Sequence, residues 1–566
     1  MDVINNNCIN TPIESTEIIS TISDLCGKLL NIYKTEFFVN HSPLEFLNII
    51  PGFDVLLEVI LVISNKLLES KHKERFNKIY QAFWQDYQEH QQLYGSLKKN
   101  WLKILDIIEI SDPCQRQSVV YYFNNLVDFV QQQNLLCTNF ELMNTTFNTL
   151  GNNLLIAVRN FLTDLVFNGG YFNIKNNDLT AFQLGRNLAV TPGKIIYQND
   201  LIELIQYSVT VDHIYKAPIL IIPPCINKYY VLDLSPSNSL VKWLVDQGFL
   251  VYMISWNNPN KEHADREFSD YIIDGALTAI NVINNITACD KIHTVGYCIG
   301  GTILSCLLSY LEQQKGHNIL SATNFMSLLD FSNIGDISMF INESSLGFLE
   351  NVMNKKGYLD GRILNMAFNA LRPNDLIWPY FINNYLLNKP LQAFDILYWN
   401  SDPTNLPANM YKFYLRDICY KNLLCKPNAI EIKGVGIDLS QVTVPMFSVA
   451  GEKDHITPWK SVYSSARLYG GSSQFILSSS GHVKGLINPP KDHKYSYKIS
   501  IFNKTLPKNP AIWLDKSIEY PGSWWSYWKN WLININSEKI KSKECAALNI
   551  NSLSDAPGSY VLKRLS

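Results

Sequence analysis

TVGYCIGGT, residues 294–302, is the stretch on which the reading of the chain turns. The residues before it, Lys291 to Gly296, form a short β-branched run, and those after it, Ile299 to Gln314, have helical length and spacing. A Gly-x-x-x-Gly box between a strand and a helix puts a nucleophile on a strained turn, and its glycines are there because larger side chains would collide. Serine is the ordinary occupant of the central position, but this chain carries Cys298. A thiolate at a helix N-terminus is stabilised by the helix dipole and by unpaired N–H groups. The bland alternative is a buried structural cysteine, yet a turn built of glycines needs no cysteine for packing.

Around that box the texture is that of an α/β protein. The runs at 218–224, 249–255, 291–296, 445–451 and 474–481 read as buried strands, with helical segments at 239–247, 267–284 and 299–314 between several of them. Such alternation predicts a mostly parallel sheet covered by helices on both faces, with the site at the carboxyl ends of the strands. The expected fold is of α/β-hydrolase type over residues 186–566, with a cap inserted at about 330–438. Residues 1–185 differ: apolar residues at three- and four-residue spacing, with few glycines or prolines, predict an all-helical N-terminal domain. Its first ~20 residues, rich in Asn, Thr and Ser, read as disordered.

A nucleophile on this turn needs a base and an orienting acid, which follow it in chain order. His482 stands directly after the strand at 474–481 and is the candidate base. Asp454, directly after the strand at 445–451, is the candidate acid. His455 comes too early to be the better base, and Asp330 is the rival acid, one strand earlier. The oxyanion of the transition state calls for two backbone N–H groups. Ile299, next after the nucleophile, is one; Ile226 in PPCINK is the other, with Cys225 close behind.

Composition sets the remaining limits. The 566 residues include 48 Lys and Arg against 50 Asp and Glu, with the basic residues scattered, which argues against nucleic acid as the main partner. Eleven cysteines without paired spacing suit a reducing compartment and indicate no metal site. No phosphate-cradling loop is present, no cofactor is expected, and no apolar run suggests a signal sequence or a membrane span. The expectation is a cytoplasmic protein.

Several boxes together resemble one family. PPCINKYYVLDL (223–234), VGYCIGGT (from 295), LRPNDLIWPYFINNYL (371–386), FDILYWNSDPTNLP (394–407), DHITPW (454–459), GHVKGLINPP (481–490) and PGSWWSYWKNWL (521–532) are similar, in this order and spacing, to class I polyhydroxyalkanoate synthases. The resemblance runs from about Leu93 to GSYVLKR near the C-terminus.

It implies an acyltransferase that polymerises (R)-3-hydroxyacyl-CoA, 3-hydroxybutyryl-CoA being favoured, into polyhydroxyalkanoate with release of CoA. Cys298 would carry the acyl chain, His482 would activate it, and Asp454 would support His482. It further implies a homodimer acting at the surface of a storage granule on a growing polyester chain. An esterase or polyester depolymerase would use the same residues with water as acceptor, and a non-catalytic granule-binding scaffold would use none of them. The aromatic segment between 330 and 438 is expected to act as a mobile cap that excludes water, the alternative being an ordinary packing layer. Trp524, Trp525, Trp528 and Trp531 read as a helix face against the core or as a polymer-contacting surface.

Overall fold

Short β-branched runs bounded by proline or glycine pack well on a pleated surface that is covered on both faces, and here they become the centre of a sheet. The computed structural model describes residues 139–565 apart from 172, 288, 290, 315–317, 503–504 and 550–551, together with residues 21, 24 and 119–121. One 11-stranded sheet dominates it. Its strands are β1 (Gly193–Gln198), β2 (Ile202–Tyr207), β3 (Ile219–Ile222), β4 (Val251–Trp256), β5 (Ile292–Tyr297), β6 (Ile319–Phe325), β7 (Met446–Gly451), β8 (Ser473–Ser478), β9 (Ser496–Ser500), β10 (Ser517–Pro521) and β11 (Ser554–Asp555).

Across the sheet the order is β10-β9-β8-β7-β6-β5-β3-β4-β2-β1-β11. All neighbours from β8 to β4 are parallel. Both flanks are antiparallel. The expected strands form as β3, β4, β5, β7 and β8, and β6 slots between the strand of the cysteine and the strand of the acid. The helix Ile299–Gln313 leaves β5 and is buried along almost its whole length. The helix Trp525–Ile535 buries Trp525, Trp528 and Leu532. Trp528 meets Phe325 of β6 edge-on at 5.2 Å between ring centres.

The chain divides into two compact units, Met1–Asn177 with Met366–Gln392, and Asp178–Asn365 with Ala393–Ser566. The first contains the helices Phe140–Asn148 and Asn152–Phe167, whose apolar faces enclose Trp378, Phe381, Tyr385 and Leu386. Inside it Asn153 donates to the Leu386 carbonyl at 2.9 Å. The stretch expected as a single cap at 330–438 is therefore shared out: Trp378, Tyr380, Phe381 and Tyr385 belong to the first unit, while Phe394, Tyr398, Trp399, Tyr411, Phe413 and Tyr414 belong to the second. The reading of the first ~20 residues as disordered and most of the expected N-terminal helical domain lie outside the described residues. No helix among the described residues is long and apolar enough to cross a membrane.

Candidate active site

Cys298 is the corner between β5 and the helix Ile299–Gln313, with φ 53° and ψ −124°. This is a conformation that residues with a side chain rarely adopt, and it persists only where the surroundings enforce it. Here its N–H donates to the Phe325 carbonyl of β6 at 2.9 Å, and its carbonyl accepts the Gly301 N–H at 2.9 Å. The neighbouring glycines are sterically required. A Cβ on Gly296 would strike the Gly301 backbone, and one on Gly300 would press to 2.7 Å from the Pro223 carbonyl oxygen. Cys298 keeps partial exposure, whereas Cys225, Cys289, Cys306, Cys419 and Cys545 are buried. Burial pushes the Cys306 thiol up to about 12, and it pushes those of Cys225 and Cys419 up as well.

His482 and Asp454 stand on the turns after β8 and β7, two adjacent parallel strands. His482 Nδ1 lies 2.7 Å from Asp454 Oδ2, and both side chains are buried. The Cys298 side chain lies near enough to His482 to favour its charged form. With Nδ1 occupied by the carboxylate, Nε2 is the nitrogen left to face the thiol. Burial by itself disfavours a charged imidazole, but the Asp454 carboxylate and the Cys298 side chain outweigh it and raise His482 from 6.5 to about 10. Burial likewise opposes an ionised Asp454, yet His482 and Thr457 hold its carboxyl below the usual carboxylate value.

Thr457, absent from the sequence reading, is the residue that fixes the acid. Its hydroxyl donates to Asp454 Oδ2 at 2.6 Å and its N–H to Oδ1 at 2.9 Å, beside the Ile456 N–H at 2.8 Å. The signal was available: an aspartate followed two and three residues later by free N–H groups makes a local side-chain turn. The rival acid is placed elsewhere. Asp330 Oδ1 accepts from Asn422 Nδ2 at 2.9 Å and from the Ser332 N–H at 3.0 Å. It is His482 and not His455 that meets Asp454.

Ile299 begins its helix, so its N–H has no intrahelical acceptor. Ile226 lies on the loop after β3, where its carbonyl accepts the Thr404 N–H at 3.1 Å. No acceptor among the described residues takes the Ile226 N–H. A thiol beside an imidazole that is itself paired with a carboxylate, with an N–H free of intrahelical acceptors next after the thiol, can carry out acyl transfer through a covalent thioester. No group of side chains able to hold a metal ion occurs among the described residues.

Comparison with known proteins agrees with this architecture. Residues 72–244 match the model of the poly-beta-hydroxybutyrate polymerase (PhaC) N-terminus, and residues 218–489 match the alpha/beta hydrolase fold. The chain is 36% identical over 471 residues to the poly(3-hydroxyalkanoate) polymerase subunit PhaC of Rhizobium etli, covering 82% of this chain and 73% of that protein. It is 38% identical over 465 residues to the poly(3-hydroxyalkanoate) polymerase of Methylorubrum extorquens, covering 81% and 75%. To poly(3-hydroxyalkanoate) polymerase 1 of Ectopseudomonas oleovorans it is 33% identical over 530 residues, 92% of each. These relatives each cover about four fifths or more of the chain at 33–38% identity, and the chain belongs to the poly(3-hydroxyalkanoate) polymerase family.

Proposed function

We propose that this chain polymerises (R)-3-hydroxyacyl groups from their CoA thioesters, with Cys298 as nucleophile, His482 as base and Asp454 as the group that orients it. The observation that carries the assignment is the 2.7 Å contact between the His482 imidazole and the Asp454 carboxylate, with the Cys298 side chain near enough to the imidazole to act on its protonation.

The chemistry accounts for sulfur at position 298. The Cys298 sulfur attacks the thioester carbon, the carbonyl oxygen becomes negative facing the Ile299 and Ile226 N–H groups, and the bond to the CoA sulfur breaks. CoA leaves as the thiol with the proton that His482 took from Cys298. One thioester has replaced another, so the acyl group remains reactive. A hydroxyl from a further hydroxyacyl unit then attacks it, its proton passes through His482 to sulfur, and an oxoester lengthens the chain by one unit. A serine would hold the acyl group as a more stable oxoester, better suited to hydrolysis. Burial of His482 and Asp454 keeps water from the pair.

The favoured substrate, 3-hydroxybutyryl-CoA, and action as a homodimer at the polyester granule belong to the same proposal and rest on the family resemblance. So does a water-excluding role for the aromatic segment, of which Tyr398, Trp399 and Tyr411 are buried. The test is to give purified protein and its Cys298→Ala variant (R)-3-hydroxybutyryl-CoA, following CoA thiol release and product mass together. High-mass polyester lost in the variant supports the assignment; release of free hydroxybutyrate alone would replace it with a hydrolase.

A further inference from the structure

The inference concerns Thr404 and rests on the reading of Ile226 as an oxyanion donor. A trans peptide group is planar, and its N–H points away from the carbonyl of the residue before it. The direction of the Ile226 N–H is therefore set by whatever holds the Cys225 carbonyl. Thr404 Oγ1 lies 2.5 Å from the Cys225 oxygen and 2.8 Å from the Ile226 oxygen. A hydroxyl has one proton to give. The shorter contact is to the Cys225 oxygen, which takes no backbone N–H among the described residues, while Ile226 already accepts the Thr404 N–H at 3.1 Å, so we assign the proton to Cys225.

Thr404 is itself firmly held. Asn227 and Pro403 form an antiparallel bridge. Just before it, Asp402 and Lys228 form a buried ion pair at 2.8 Å, and the Tyr230 hydroxyl donates to the other Asp402 oxygen at 3.0 Å. The Trp399 indole donates to the Lys228 carbonyl at 2.7 Å, and Lys228 Nζ donates to the Val561 carbonyl at 2.8 Å. The segment Trp399–Thr404 thus grips the loop Cys225–Tyr230 along its length, and the Cys225 carbonyl is held by the Thr404 hydroxyl.

We infer that Thr404 is a positioning residue for acyl transfer: its hydroxyl orients the Cys225–Ile226 peptide so that the Ile226 N–H faces the thioester oxygen. The test compares Thr404→Val, which keeps the shape and removes the hydroxyl, with Thr404→Ser, which keeps the hydroxyl. Each is assayed for kcat and KM with (R)-3-hydroxybutyryl-CoA and for the rate at which iodoacetamide alkylates Cys298. Alkylation at a saturated carbon develops no oxyanion, so it reports on the thiol and His482 without the pocket. The expected result is a kcat about 10- to 100-fold lower in Thr404→Val, with KM and alkylation rate within about twofold of the parent, and near-parent kcat in Thr404→Ser. An unchanged kcat in Thr404→Val, an equal fall in alkylation, or a serine variant as impaired as the valine one would overturn the inference. CoA release that survives Cys298→Ala would instead overturn the reading beneath it, and the inference with it.

Discussion

The Trp525 indole N–H donates to the Leu486 carbonyl at 2.9 Å, in the loop that carries His482. Trp524 does the same to Gly485 at 2.8 Å, and Trp528 reaches the Thr323 hydroxyl of β6 at 3.0 Å. These tryptophans are buried core, and their polar edges fasten the base loop to the sheet.

Trp525→Phe keeps a ring in place but leaves the Leu486 carbonyl with the Asn488 N–H as its remaining donor. The loss should be about 0.5–1.5 kcal/mol of stability, read as a lower denaturant midpoint. Because the loop bears His482, kcat should fall while KM stays put; an unchanged kcat would confine the bond to a structural role.

Asp454→Asn removes the charge that keeps His482 basic while preserving most of the shape. The expected fall in kcat is about 10²- to 10⁴-fold, the range of general acid–base contributions. Thr457→Val should act in the same direction and more weakly, since Asp454 keeps its N–H donors from Ile456 and Thr457. Steady-state CoA release with each variant is the measurement.

The His482–Asp454 pair also gives stability a definite pH dependence. His482 is raised to about 10, so the folded protein binds its proton more tightly than the unfolded chain does. That stabilisation is complete below pH ~6.5 and is lost as pH rises toward about 10. Asp454 is lowered, so its contribution is present above ~3.9 and is lost as pH falls through its depressed value. Thermal unfolding of the parent minus that of His482→Gln, followed from neutral to alkaline pH, should shrink steadily; a flat difference would refute the raised value.

The strand positions and the placement of the candidate residues were legible where one residue type decides the local conformation: the glycines of the cysteine turn, and strand ends followed by Asp454 and His482. β6 was harder to read because its centre is polar. Ser321, Thr323 and Asn324 are buried, and each bonds a side chain outside the strand: Ser321 to His293 Nδ1 at 2.7 Å, Thr323 to Trp528, and Asn324 through its Nδ2 to the Tyr469 hydroxyl at 2.6 Å. No local pattern announces partners 28 to 205 residues away. The antiparallel strands β1, β2, β9, β10 and β11 carry no chemistry and were not singled out. Thr404 escaped notice because its partner lies far back in the chain, whereas Thr457 sits three residues from Asp454 and only wanted a closer look.

The positive φ at Cys298 has a consequence for endurance. A side chain held in that conformation costs about 1–3 kcal/mol, whereas glycine adopts it freely at a cost of roughly 0.5–1 kcal/mol in unfolded-chain entropy. Between two inactive forms, Cys298→Gly should therefore melt above Cys298→Ala. The corner that gives the sulfur its reach also lowers the heat the molecule can survive, and a sturdier enzyme will have to gain its margin away from position 298.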